Sequence, residues 1–218
     1  MIVLPKNIRH MIIQYWAKRL LRILKIKITL SGEVLKFLGK DSYLVVSNHI
    51  SWLDIPVIFS LKPMTFVSAS DVKTWPIIGM LAKISGAIFV ERNRKSSLVE
   101  VIQAMNHHFK NEKRSICIFP EGVTSNGYQV LPFKSNLFQS AFESNVLLLP
   151  LSIKYKENNV LTNRTSFHGS TTLFQSFKRV AKSNMIEVVV DIGHPIKPNQ
   201  SRKDLSLKVQ EVIALKIK

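Results

Sequence analysis

The chain is poor in cysteine, poor in acids, and has no long apolar run. Its 218 residues include one cysteine, Cys117. That excludes an internal disulfide framework or a thiolate metal cluster. Cys117 sits within Ser115–Phe119 and reads as a small buried strand residue, which fits a reducing compartment. No stretch reaches the roughly 18 apolar residues of a transmembrane helix. The N-terminus has no continuous apolar segment followed by a small-residue cleavage site, so no signal peptide is expected. A Gly-x-Ser-x-Gly elbow is absent, which argues against a serine hydrolase. So are zinc-finger spacing, an aromatic RNA-binding signature and a P-loop.

Acids number 14 against 31 Lys+Arg, giving a net charge of +17. Such a field attracts anions: a membrane surface, a phosphorylated or CoA-type substrate, or nucleic acid. Charge alone leaves open a basic membrane- or nucleic-acid-binding protein without activity. The length suits one domain, and 46% hydrophobic residues suffice for a core.

Residues 7–27 mix apolar and cationic positions without an acid. At 100° per residue, Ile12, Ile13, Trp16, Leu20, Ile23 and Leu24 fall within an arc of about 120°, with Lys18, Arg22 and Lys25 roughly opposite. This predicts an amphipathic helix lying in a membrane interface, with Trp16 at headgroup depth. The competing reading is a helix packed on the domain with solvated cations. Seven cations and no acid over residues 1–27 favour the membrane. The division expected is a basic interface helix, 1–27, and a catalytic domain, 28–218.

Beyond it, Ile26–Leu38 reads as extended, with a turn at Ser31-Gly32. Tyr43–Ser47, Thr65–Ala69, Gly86–Glu91, Ser115–Phe119, Val146–Lys154 (interrupted by Pro150) and Met185–Asp191 read as strands. Asn48–Ser60, starting near His49, a segment opening at Ser70-Asp71, Ser96–Lys110 and Asn136–Glu143 read as helices. Ser201–Asp204 looks like a capping box for a last helix to about Ile217. Residues 156–182 show no clear period. Strands separated by helices predict an α/β domain with a mostly parallel central sheet flanked by helices. In such sheets ligands bind beyond the carboxyl ends of the strands. His49, Arg92 and Glu121 each follow a predicted strand.

His49 and Asp54 stand five apart after the apolar run Leu44-Val45-Val46. A carboxylate accepting one imidazole N–H fixes the other nitrogen as a base. The spacing works if His49 precedes the helix and Asp54 lies in its second turn. Asp54 stands among Trp52, Leu53, Ile55 and Pro56, where an unpaired carboxylate is costly. Phe119-Pro120-Glu121-Gly122 ends another apolar run, and Gly122 lets backbone approach a ligand closely. Arg92 at a strand end suits bidentate phosphate binding. His107 and His108 read as solvated, and His10, His168 and His194 lack partners at a useful spacing.

Together these residues resemble the 1-acylglycerol-3-phosphate acyltransferase superfamily. Asn48–Asp54 matches its His-four-residues-Asp block. Gly86–Arg92, Phe119–Gly122 and Leu149-Pro150-Leu151 match its second, third and fourth blocks, in order. The resemblance implies acyl transfer from acyl-CoA or acyl-carrier protein to a lysolipid hydroxyl, without metal or other cofactor and with no nucleic acid. It implies that His49 is the base, that Asp54 orients it, and that Arg92, Glu121, Gly122 and Thr124 bind the acceptor. The third block departs from the family: Val123-Thr124-Ser125 stands where Thr-Arg-Ser is usual, so a phosphate-assigned arginine is missing. Lys134 can replace its charge. Lysophosphatidic acid is the acceptor expected, giving phosphatidic acid. Branches with a Thr-Ser continuation include enzymes that finish lyso-ornithine lipid, the alternative acceptor. Membrane attachment at the cytoplasmic face of the cell membrane is expected.

Overall fold

A computed structural model describes residues 5–75, 78–91, 94–199 and 201–217. Its elements run α1 (Lys6–Ile23), β1 (Ile26–Gly32), α2 (Val34–Leu38), β2 (Leu44–Ser47), α3 (Asp54–Leu61), β3 (Thr65–Ala69), α4 (Ile78–Ile84), β4 (Ile88–Val90), α5 (Lys95–Glu112), β5 (Ile116–Ile118), α6 (Gln139–Ser144), β6 (Leu148–Glu157), β7 (Val160–Leu161), α7 (Leu173–Ala181), β8 (Ile186–Ile192) and α8 (Arg202–Ile217). The strands form one sheet in the order β1-β8-β6-β2-β5-β3-β4, with β7 on β6. β6, β2, β5, β3 and β4 are mutually parallel, as is the β1–β8 pair, whereas β6 meets β8 and β7 antiparallel. The expected mostly parallel sheet is therefore present.

Alternation along the central strands divides the core between the two faces of the sheet. Val45, Cys117, Leu149 and Leu151 face a cluster that includes α1, α3 and Val180 of α7. Leu44, Val46, Ile116 and Leu148 face Met105 of α5, Ala141 of α6 and Val209 of α8.

α1 forms as the sequence predicts, but its apolar arc is divided. Ile13, Ala17, Leu21 and Leu24 are buried in the core, and Trp16 and Leu20 pack against it. Each buried Ile or Leu contributes about 1.5–3 kcal/mol, enough to hold the helix on the domain. Gln14 Nε2 also donates to the carbonyls of Ser60 and Leu61 of α3. Trp16 is thus partly taken up by the domain. Ile8, Met11, Ile12, Tyr15 and Ile23 remain exposed, interleaved with exposed Lys18, Arg19 and Arg22.

Other boundaries differ from expectation for local reasons. The second half of Ile26–Leu38 is helical, not extended. Gly32 (φ 78°) still pairs with Ile192; an added Cβ would lie 1.9 Å from the Ile192 carbonyl oxygen. The helix expected from Asn48 starts at Asp54. An earlier start would put Pro56 in its interior, where its missing N–H breaks the ladder; here Pro56 falls in the first turn. The segment after β3 opens as a 3-10 turn, Ser70–Thr74. Pro150 does not interrupt β6. Its carbonyl accepts from Gly193, so its missing N–H also faces the side where β8 has ended at Ile192, and costs no bond to β2.

Candidate active site

β2, β5 and β4 are parallel, so their carboxyl ends share one side of the sheet. After β2 the chain stays non-helical through His49 and Ser51. Asp54 Oδ2 accepts from His49 Nδ1 at 2.7 Å and from the backbone N–H groups of Ile50 and Ser51 at 2.8 and 2.9 Å. Asp54 is fully buried, and its other oxygen accepts from the Tyr155 hydroxyl at 2.7 Å. Four donors therefore surround one buried carboxylate, which offsets its desolvation. Asp54 is the first residue of α3 rather than lying in its second turn, and the loop folds around its side chain.

With Nδ1–H donated to Asp54, His49 keeps Nε2 as an acceptor. Its ring stacks on Phe119 at 4.1 Å between centroids. Phe119 stacks in turn on Phe66 at 6.0 Å. Phe66 belongs to a narrow apolar cleft also lined by Trp16, Trp52, Ile55, Phe59 and Leu81. A proton acceptor is thus connected through two stacked rings to an apolar cleft, an arrangement suited to deprotonating the hydroxyl of a lipid-like molecule.

Glu121 follows β5 and is buried. Its Oε1 accepts from His49 N at 2.7 Å, and its Oε2 accepts from Leu131 N at 3.0 Å. Burial pushes its carboxyl up to about 7, against the two backbone donors that lower it. Gly122 has φ 72°, and Lys134 Nζ lies 2.9 Å from where a Cβ would stand. The Lys134 ammonium therefore covers the Glu121-Gly122 turn. Thr124 Oγ1 donates to the Phe167 carbonyl. Cys117 on β5 is buried, and burial together with the Asp54 charge pushes its thiol well up.

His49, Asp54, Glu121, Gly122 and Lys134 are thus brought together. The Thr124 hydroxyl is taken up in holding two loops, and Arg92 lies outside the described residues. Sequence reasoning missed two supports. Tyr155 meets Asp54 across a separation of 101 residues, for which no local pattern exists. The second is the segment around Ser166, within the stretch that showed no period. Phe167 N donates to Ile50 O, Ser166 Oγ to Ser125 O, and Ser125 N to His49 O. Its legible signals were the Asn158-Asn159 turn, with both φ positive, and the Thr172–Gln175 capping box of α7. The other histidines have partners of their own. His108 is buried beside Glu112 rather than solvated, His168 bonds Ser166, and His194 pairs with Glu33.

A carboxyl held at about 7 when folded, against 4.5 ordinarily, retains its proton more strongly in the folded state. Its contribution to stability is present at low pH and is lost as pH rises from about 4.5 through 7, by about 3 kcal/mol. Glu121→Gln removes this titration. Thermal melts from pH 5 to 8 are expected to fall less steeply for the variant than for the wild type. Parallel curves would show that Glu121 is not the titrating group.

Residues 25–154 match the family model described as Acyltransferase. The chain is 32% identical over 211 residues to a lyso-ornithine lipid O-acyltransferase of Pseudomonas aeruginosa, covering 95% of this chain and 79% of that protein. It is 33% identical over 128 residues to a 1-acyl-sn-glycerol-3-phosphate acyltransferase of Neisseria gonorrhoeae, covering 58% of this chain and 50% of that one. The crystal structure of a 1-acyl-sn-glycerophosphate acyltransferase from Thermotoga maritima shares the fold, with a TM-score of 0.69 at 22% identity over 95% of this chain and 78% of that one. By its family match, its near full-length similarity and its fold, this chain belongs to the acyltransferase family.

Proposed function

We propose that this protein transfers a fatty acyl group from acyl-CoA or acyl-carrier protein to the free hydroxyl of a lysolipid. The observation that carries the reading is His49, pinned through Nδ1 by a buried carboxylate and joined through Phe119 and Phe66 to an apolar cleft. Nε2 takes the proton of the acceptor hydroxyl. The alkoxide oxygen bonds the thioester carbonyl carbon, the C–S bond breaks, and the departing thiolate takes the proton back from the imidazolium. Asp54 stabilises that imidazolium, and Tyr155 positions Asp54. The apolar cleft is the place for an acyl chain. The step needs no metal or other cofactor.

Lyso-ornithine lipid is the favoured acceptor. A relative of that name matches 95% of the chain, and Val123-Thr124 stands where the family's phosphate-assigned arginine is usual. One observation favours lysophosphatidate instead: the Lys134 ammonium lies over Gly122 and supplies a cation at the same turn.

The membrane provides the acceptor, and the protein sits on its cytoplasmic face as a peripheral enzyme. The exposed face of α1, with Met11, Ile12, Tyr15 and Ile23 among cations, suits an anionic interface. Among the described residues no helix is long and apolar enough to cross a bilayer.

Acyl transfer is to be measured with both donors on lyso-ornithine lipid and lysophosphatidate side by side. His49→Ala is expected to lower turnover by about 10²–10⁴-fold; transfer that survives the substitution would sink the mechanism. Transfer to lyso-ornithine lipid is expected to dominate. Dominant transfer to lysophosphatidate, with KM raised by Lys134→Ala, would establish the second acceptor.

Tyr155→Phe removes one bond to a charged group, and kcat is expected to fall about tenfold or more with KM little changed. In an Asp54→Asn background the same substitution is expected to add no further loss. Multiplicative losses would reduce Tyr155 to a packing role.

A further inference from the structure

We infer that α7 is a second membrane-contact element that meets an anionic lipid bilayer beside α1; this rests on the membrane-surface reading above. α7 carries two large exposed rings, Phe174 at 74% and Phe177 at 44% exposure. Three exposed cations, Lys178, Arg179 and Lys182, follow on the same helix and its last turn. They line an open groove of about 440 Å³ with Thr171 and Gln175, and no carboxylate lines it. No acid occurs between residues 158 and 186. Only the inner face of the helix, with Ser176 and Val180, is buried.

The position of α7 selects the occupant. Val180 shares one buried cluster with Ile13, Ala17 and Leu21 of α1, so both helices cover the same side of the sheet. Trp52 lies between them. Its Nε1 donates to Ser176 Oγ at 3.1 Å, and its ring lies 6.3 Å from Phe177. Trp52 lines the apolar cleft, as does Trp16 of α1. Apolar surface therefore continues from α1 through the cleft to the Phe177 ring of α7, with cations on the exposed faces of both helices. Rings that reach acyl chains beside cations that reach phosphate headgroups match an interface helix. An acidic protein partner accounts for the cations but leaves two exposed phenyl rings unexplained, one of them against Trp52 of the cleft.

Cys117, the sole cysteine, is buried, so Phe174→Cys in the full chain gives one reactive thiol for an environment-sensitive fluorophore. Phosphatidylcholine vesicles containing phosphatidylglycerol are expected to shift its emission to the blue, and brominated acyl chains to quench it. Lys178→Gln with Lys182→Gln is expected to weaken partition to these vesicles by about fivefold per cation. Sedimentation with the vesicles without an emission shift would overturn the role of α7 while leaving the membrane reading intact. Failure of the wild type to sediment would overturn both. Unchanged partition of the lysine variant, with KM raised only for acyl-carrier protein, would make α7 a protein-docking surface and overturn the proposal.

Discussion

The carboxylate of Asp54 is the constraint on which the site depends. A fully buried charge is tolerated only when its lone pairs are filled, and here Tyr155, His49 and two backbone N–H groups fill them. Meeting that demand bends the chain after β2 into a tight loop, sets the start of α3 and aims the imidazole. The same demand recruits β6, from which Tyr155 projects. Catalytic geometry and local folding are therefore one problem with one solution.

Around this centre, neighbouring loops are joined largely by bonds between a side chain and a backbone group. Glu121 ties the β5 turn to His49 N, and Ser125 ties it again to His49 O. Asn48 uses both ends of its amide on Ile153 of β6, donating to the carbonyl and accepting from the N–H at 2.9 and 2.8 Å. The segment around Ser166 closes the far side. Most of these links run from one particular side chain to a backbone group, so Asn48, Glu121 and Ser166 hold the loops around the couple.

This explains what was legible in the sequence. The short apolar runs that became β2, β5 and β6 were readable because burial on both faces leaves little choice of residue. The His49–Asp54 spacing was readable because the loop is local. The start of α3 is not legible because the apolar period continues through Trp52 and Leu53, whereas Pro56 and the Asp54 side chain decide where the helix begins. Tyr155 left no trace because its partner is remote in sequence. The segment of residues 162–172 shows no period because it works through the Ser166 hydroxyl and backbone groups, and Ser166 looks like any polar loop residue. The apolar arc of α1 is legible, but a helical projection does not say which part of a wide stripe meets a core.

Cys117 gives the architecture a chemical consequence. The proposed acyl donors are thioesters, and a thiolate within reach of one exchanges with it and keeps the acyl group. The sole sulfur nucleophile of this chain lies on β5, close enough to Asp54 to feel its charge, yet burial and that charge hold it as a thiol. Burial first, and the negative charge that orients His49 second, thus keep this thiol from taking the acyl group onto the protein.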